Sequence, residues 1–185
     1  MKLPCRFPTL LGVLMLASCS YLLRSTNIEP SAALAENESV VVTKIHGIDL
    51  RGVLQIHGGA HPLPYAIIVG SDGDRQLRVI KIRSGEALRF SNYRIEGVGG
   101  GSAYFGQNAP TFTTRPQTIT YVGDVYLERS GLDVLVAVKD EETVTVTQAR
   151  NGYPLLFSKY PYEKSLAGRA VAKTTETRQV PLPPN

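Results

Sequence analysis

The sequence predicts a mainly β domain, an antiparallel β-sandwich of about seven strands with one short helix near the C terminus. Short runs rich in Val, Ile, Tyr and Phe recur through the middle of the chain. Clusters of Gly, Asp and Asn separate these runs as turns do. A single late segment, residues 141–150, carries the signals of a helix.

The composition is that of a folded protein. The chain has 185 residues, 43% of them hydrophobic, which is enough for one core with appendages. Lys2 and Arg6 lie in the leading segment, and the remaining basic residues nearly balance the 16 acidic ones despite the formal charge of +4. Because nucleic-acid binding needs a concentrated basic surface, we expect no nucleic-acid partner.

Residues 1–18 have the layout of a secretory signal peptide. Lys2 and Arg6 precede an apolar stretch over 7–16, and small residues follow it. Ten residues of helix measure about 15 Å, too short to cross a hydrocarbon layer of about 30 Å. We therefore expect this segment to direct export and to be removed.

Leu16-Ala17-Ser18-Cys19 resembles the lipobox of bacterial lipoproteins, in which an aliphatic residue and two small residues precede an obligatory cysteine. The resemblance implies cleavage between Ser18 and Cys19, a diacylglycerol on the Cys19 thiol, and an acyl chain such as palmitate on the new amino group. Ser20 stands where lipoproteins of the inner membrane carry Asp, which implies sorting to the outer membrane. Several acyl chains, at about 0.8 kcal/mol per buried methylene, would form a permanent membrane anchor.

The alternatives are an ordinary signal peptide with a chance cysteine and an uncleaved N-terminal anchor. The other cysteine, Cys5, would leave with the signal peptide, so Cys19 would have no disulfide partner within the exported chain. Acylation removes the reactive thiol that would otherwise remain. This consideration favours lipidation of Cys19.

The rest of the chain divides into three predicted parts. Residues 19–38, the lipidated cysteine and a polar segment without a sustained period, are expected to be a flexible tether with a reach of roughly 25 Å. Residues 39–165 form the predicted β-sandwich domain. Residues 166–185 end in a Pro-rich polar sequence and are predicted to be a disordered tail.

The first predicted strands show alternation that changes phase. A strand spans residues 40–45, and YAIIVG is followed by SDGD, which predicts a hairpin turn to LRVIKIR (77–83). Within LRVIKIR the apolar residues pass from odd to even positions. In ALRFSNYRI (87–95) they change again near Ser91. Each change predicts a β-bulge.

Two later strands follow a glycine-rich loop, GVGGGS. The strand QTITYVGDVYLE is expected to place four apolar side chains on one face: Ile119, Tyr121, Val125 and Leu127. DVLVAVKD (133–140) is apolar on both faces, as expected of a central, covered strand. The next segment alternates like a strand, but its acidic start and its Asn-Gly and Pro stop favour a helix over 141–150.

The runs SGEALRF and TITYVGD resemble those of small bacterial lipoproteins with transthyretin-like or carboxypeptidase-regulatory-like sandwiches. This resemblance covers residues 40–140 and implies the fold without transferring a catalytic motif. A true immunoglobulin domain is not indicated, because the chain has no Trp and no cysteine pair in this region.

Three motifs contain residue types that also occur in ligand sites. HGGAH places His57 and His61 four residues apart, as in zinc proteases, but its glycines disfavour the required helix. SDGD lacks the further acidic ligands of an EF-hand, and GVGGGS lacks the Lys-Ser/Thr of a phosphate loop. We therefore predict no catalytic residue, metal or cofactor. A metal-dependent envelope hydrolase that uses His57 and His61 is the alternative.

The candidate binding surface lies beside the glycine-rich loop. Tyr104, Phe105 and Asn108 flank a polar segment there, and aromatic residues next to mobile loops are common in recognition surfaces. Phe112 is expected in the core.

Together these features indicate a non-enzymatic lipoprotein in the bacterial outer membrane. Its domain would face the periplasm and bind an envelope protein or another envelope component. A further alternative is an accessory subunit of a secretion or envelope-stress assembly.

Overall fold

The computed structural model is mainly β, as predicted. It describes residues 23–24, 27–47, 51–58, 64–70, 75–96, 100–106, 109–131 and 133–168. Its elements in chain order are β1 (Leu23–Arg24), β2 (Glu38–His46), β3 (Gly52–Gly58), β4 (Tyr65–Val69), β5 (Arg75–Arg83), β6 (Ala87–Ile95), β7 (Ser102–Tyr104), β8 (Thr111–Thr113), β9 (Ile119–Tyr121), β10 (Asp124–Ser130), β11 (Asp133–Lys139), α1 (Glu142–Gly152), α2 (Pro154–Lys159) and β12 (Tyr162–Lys164). Neither described helix is long and apolar enough to cross a bilayer.

The strands form two six-stranded sheets, which confirms the sandwich. The first sheet has the order β1-β4-β3-β6-β7, and β8 also pairs with β6. The second has the order β11-β10-β2-β9-β12, and β5 pairs with β2 along its whole length. Most pairs are antiparallel, but β2 runs parallel to both β9 and β10. The structure has more strands than the seven expected, and the additional ones are β3 and several short strands.

The second sheet is covered on both faces along β2, β5 and β9. On its inner face, side chains from both sheets form the sandwich core, which includes Val41, Ile45, Leu54, Ile56, Ile80, Phe90, Tyr93, Phe112 and Val125. Helices α1 and α2 cover its outer face and form the helix-side cluster, which includes Leu34, Val40, Val42, Val79, Ile119, Tyr121, Val146 and Leu156. Because each buried Val or Ile contributes about 1.5–3 kcal/mol, coverage of both faces explains the consecutive valines of β2.

This double burial corrects the prediction of a bulge in β5. The strand pairs with β2 without any shift of register. Val79 packs in the helix-side cluster, whereas Ile80 packs in the sandwich core. The apolar residues change phase because both faces of the strand are covered.

The bulge predicted near Ser91 is confirmed. Gln55 of β3 pairs with Asn92, and Ile56 pairs with Phe90, so Ser91 is an extra residue in β6. Phe90 and Tyr93 both reach the sandwich core. The intervening Ser91 and Asn92 therefore lie next to each other on the outer face of the first sheet.

A second bulge interrupts the strand predicted over 117–128. Tyr121 pairs with Val42 and Val125 pairs with Ile45, so the segment gains one residue relative to β2. Gly123 lies within this insertion at a φ of +93°. The prediction of a single apolar face is wrong, because Ile119 and Tyr121 join the helix-side cluster while Val125 and Leu127 join the sandwich core.

Two predicted strand positions are also wrong. β4 and β5 belong to different sheets, so the connection between them is a crossing and not a hairpin. β11 lies at the edge of the second sheet, where Leu135 and Ala137 on its second face are only partly buried. An apolar strand therefore does not need to be central.

The domain extends beyond its predicted limits at both ends. Asn27, in the predicted tether, accepts a hydrogen bond from the backbone N of Val79 (3.0 Å). The backbone N of Leu34 donates to the Tyr160 hydroxyl (2.8 Å). Ala167, in the predicted tail, is buried in the sandwich core. The helix predicted over 141–150 is confirmed as α1.

Gly123→Ala tests the second bulge. An added Cβ would lie 2.4 Å from Val138 Cγ1, on top of the cost of a left-handed backbone. We expect a loss of more than about 1–3 kcal/mol in the free energy of unfolding, measured by urea denaturation. Gly85→Ala is the matched control, because Gly85 has a φ of +88° with no neighbour within 4 Å of its Cβ position. Equal losses in the two variants would contradict a close approach at Gly123.

Candidate functional site

A cavity of about 330 Å³ opens on the outer face of the first sheet. Strands β3, β6 and β7 meet there, and the bulge in β6 supplies two adjacent polar residues. We call it the His57 cavity, and its lining is His57, Arg89, Ser91, Asn92, Tyr104 and Gly106.

His57 and Ser91 form a hydrogen-bonded pair in this cavity. The Ser91 hydroxyl donates to the carbonyl of Gln55 (3.1 Å), so the His57 Nδ1–H is the donor to Ser91 Oγ (2.5 Å). Burial, aided by the nearby charge of Arg89, lowers the pKa of His57. The neutral imidazole therefore keeps its Nε2 lone pair for a ligand. This polarity is opposite to that of a serine nucleophile, which donates its proton to histidine.

The other side chains supply complementary groups for recognition. Asn92 is 8% exposed, and its Oδ1 is buried without a hydrogen-bond partner in the described part of the chain. Tyr104 is 48% exposed and presents an aromatic surface at the same cavity. Arg89 adds a positive charge. A buried acceptor, an aromatic face and a cation suit a polar ligand that carries hydrogen-bond donors and an anionic group.

The sequence predictions for this region have different outcomes. Tyr104 lines the cavity, but Phe105 is completely buried in the sandwich core and so lies beneath the surface that it was expected to form. His57 belongs to the central strand β3 and not to the helix that a zinc-protease motif requires. Asn108 and His61 lie outside the described residues, as do Ser18 and Cys19.

A second polar cluster lies between the second sheet and α1, and it centres on Asp124. The Asp124 carboxylate is fully buried and accepts hydrogen bonds from the Thr145 hydroxyl (2.7 Å) and the backbone N of Lys44 (3.2 Å). These bonds join the β10 bulge to β2 and α1. We call Asp124, His46, Glu141 and Tyr126 the Asp124 cluster.

The remaining members surround the Asp124 carboxylate. The His46 ring stacks on Tyr126 with centroids 3.9 Å apart, and its Nε2 lies 3.7 Å from Asp124 Oδ2. The Tyr126 hydroxyl donates to Glu141, and the backbone N of Glu141 donates to the Tyr121 hydroxyl (2.8 Å). One ring nitrogen of His46 and one carboxylate oxygen each of Asp124 and Glu141, all atoms that can bind a metal ion, lie within 4.8 Å of one another.

Burial dominates the protonation of this cluster. It raises the pKa of Asp124, although hydrogen bonds from Thr145 and from the backbone of Lys44 oppose the shift. Burial also lowers the pKa of His46, and this effect exceeds the attraction of the nearby carboxylates. Near neutral pH the imidazole is consequently uncharged.

Sequence reasoning did not detect the Asp124 cluster. His46, Asp124 and Glu141 are far apart in the chain, and no motif connects them. The available signal was the Gly123-Asp124 pair in the middle of an apolar strand, since bulges often place polar side chains at functional positions.

Comparisons of the chain with protein-family models, curated proteins and solved structures each found no match.

Thr145→Val tests the contribution of the buried hydrogen bond to Asp124. Valine keeps the volume of threonine but leaves Asp124 Oδ2 without its hydroxyl donor. We expect a loss of about 1.5–3 kcal/mol in the free energy of unfolding, because the bond involves a charged group that water cannot reach. Thr147→Val, at an exposed position of α1, is the control and is expected to change stability by less than about 0.5 kcal/mol. A similarly small change for Thr145→Val would show that this bond contributes little.

Proposed function

We propose that this protein is an outer-membrane lipoprotein whose β-sandwich binds an envelope protein or another envelope component through the His57 cavity. The anchor is Cys19, and the domain faces the periplasm. Its role is recognition without catalysis. The observation that carries the binding role is the cavity itself, which Asn92, with its unpartnered side-chain oxygen, lines together with Tyr104 and Arg89.

The lipobox resemblance supports the anchored location. Leu16, the two small residues and Cys19 follow an apolar stretch of the right length, and basic residues precede it. Since residues 27–38 pack against the second sheet, the domain begins only a few residues after the proposed anchor. The lipid would thus hold the sandwich close to the bilayer surface.

The chemistry of the His57 cavity supports binding. Leaving the Asn92 acceptor buried and unpartnered costs about 1–3 kcal/mol, and a ligand that donates to it recovers this cost. Arg89 would pair with an anionic group of the same ligand, and Tyr104 would cover an apolar portion. The neutral His57 provides a further acceptor at its Nε2.

Cys19→Ala tests the anchor. Cells are given labelled palmitate, and the protein is isolated and analysed by mass spectrometry. We expect label and an acylated N-terminal Cys19 in the wild type and in the control Cys5→Ala, and no label in Cys19→Ala. An unacylated N terminus in the processed wild-type protein would refute the anchor and the outer-membrane location.

Site-specific crosslinking tests the binding role. A photoreactive residue in place of Tyr104 is expected to give a discrete crosslinked product in cells, and this product is expected to disappear when Arg89→Glu is added. The control position is Leu155 of α2, which is 63% exposed on the opposite side of the domain. Equal products from both positions, or a product that Arg89→Glu leaves unchanged, would contradict ligand binding in the cavity.

A further inference from the structure

We propose that His46, Asp124 and Glu141 form a binding site for one divalent transition-metal ion of the Zn²⁺ class. The site is separate from the His57 cavity and does not depend on the function proposed above. One imidazole nitrogen and two carboxylate oxygens are a donor set that such ions accept, with a further position open to water.

The distances permit a common ion. Zn²⁺ binds nitrogen and oxygen ligands at about 2.0–2.2 Å, so two ligands of the same ion lie at most about 4.4 Å apart. The donor atoms of the three residues lie within 4.8 Å of one another, and His46 Nε2 is 3.7 Å from Asp124 Oδ2. A few tenths of an ångström of side-chain movement would close the site.

The His46 nitrogen provides an independent observation. Its Nε2 is buried and has no hydrogen-bond partner within the described ranges, and 3.7 Å is too long for a hydrogen bond to Asp124. Stacking on Tyr126 holds the ring against the carboxylates. A buried, unpartnered imidazole nitrogen beside two carboxylates is an arrangement that a cation would complete, with Nε2 as one of its ligands.

The surrounding groups orient the ligands as the outer shell of a metal site does. Thr145 and the backbone of Lys44 donate to Asp124, and Tyr126 donates to Glu141. Among the described residues, no lysine or arginine forms an ion pair with either carboxylate. Lys139 lies over the Tyr126 ring instead. A divalent ion would neutralise two carboxylates that share a poorly hydrated space.

The three ligands come from separate elements, so the ion would connect them. His46 ends β2, Asp124 begins β10, and Glu141 directly precedes α1. Bound metal would fasten the start of the helix to the second sheet. Since an unfolded chain does not hold these residues together, metal binding would stabilise the folded state.

Metal binding by the wild-type protein is the direct test. The protein, purified in detergent from the cells that produce it, is stripped with EDTA and titrated with ZnCl₂ by calorimetry. We expect one Zn²⁺ per chain with a Kd of about 1 μM or tighter. At a free concentration of 100 Kd, the Tm is expected to rise by about 5–10 °C. Absence of stoichiometric binding overturns the proposal whatever the variants do.

Two site variants and two controls locate the ion. Glu141→Gln and His46→Gln are expected to weaken Zn²⁺ binding at least about 10-fold. Glu142→Gln removes the adjacent carboxylate, which contacts Tyr162 and Lys164, and is expected to bind Zn²⁺ normally. The second control is the double change at His57 and His61 to Gln. Loss of binding in that double variant with retention in His46→Gln would overturn the proposed site.

Cobalt provides a readout that is independent of folding stability. The Co²⁺-loaded wild-type protein is expected to show ligand-field bands in the visible range without the intense near-ultraviolet band of a thiolate ligand. A thiolate band would assign the metal to a cysteine and overturn the proposal.

Discussion

The insertion at Gly123 and Asp124 is the constraint on which the rest of the domain depends. Without the extra residue, the apolar side chains at alternate positions from Ile119 to Leu127 would all point to the same face of the sheet. They could then not pack in both the helix-side cluster and the sandwich core. The left-handed glycine turns the chain so that Asp124 reaches back to β2 and across to α1. The Asp124 carboxylate accepts the hydrogen bond of the Lys44 backbone N–H, in place of a carbonyl oxygen of a neighbouring strand. A single residue thus joins the sheet, the helix and the polar cluster between them.

Double coverage of the second sheet decided which predictions succeeded. Elements with a strong local signal, such as β6 and α1, were predicted correctly because alternation and helix boundaries depend on nearby residues. The prediction of a bulge in β5 was wrong, because apolar residues can pass from odd to even positions of a strand for two reasons. Either a residue is inserted, or both faces of the strand are buried. Only the position of α1 and α2 on the outer face distinguishes them, and this position depends on contacts between distant parts of the chain. The edge position of β11 also depends on contacts between distant parts of the chain, so its local sequence does not reveal it.

The two candidate sites differ in how far the sequence revealed them. Tyr104 was identified from its position beside a glycine-rich loop, and His57 from its spacing to His61, although its actual partner is Ser91 on the neighbouring strand. The bulge that brings Ser91 and Asn92 together was predicted, but the cavity beside it was not. The Asp124 cluster could not be predicted, since its members meet only after β2, β10 and α1 have assembled. Phe105 was assigned to the binding surface but lies in the core, because the sequence does not distinguish an aromatic residue on a binding surface from one that fills the core beside a loop.

The two sites lie on opposite sides of the sandwich core, and this separation bears on how they would act. The His57 cavity is built from β3, β6 and β7 of the first sheet, whereas the Asp124 cluster lies between the second sheet and α1. No described residue belongs to both sites, and the closely packed core between them resists small displacements. Sites without shared partners usually contribute independently to the free energy of the folded state. On these two proposals, the first sheet would provide recognition and the second would provide rigidity. Occupation of the Asp124 cluster would then change the stability of the domain more than its affinity for a ligand.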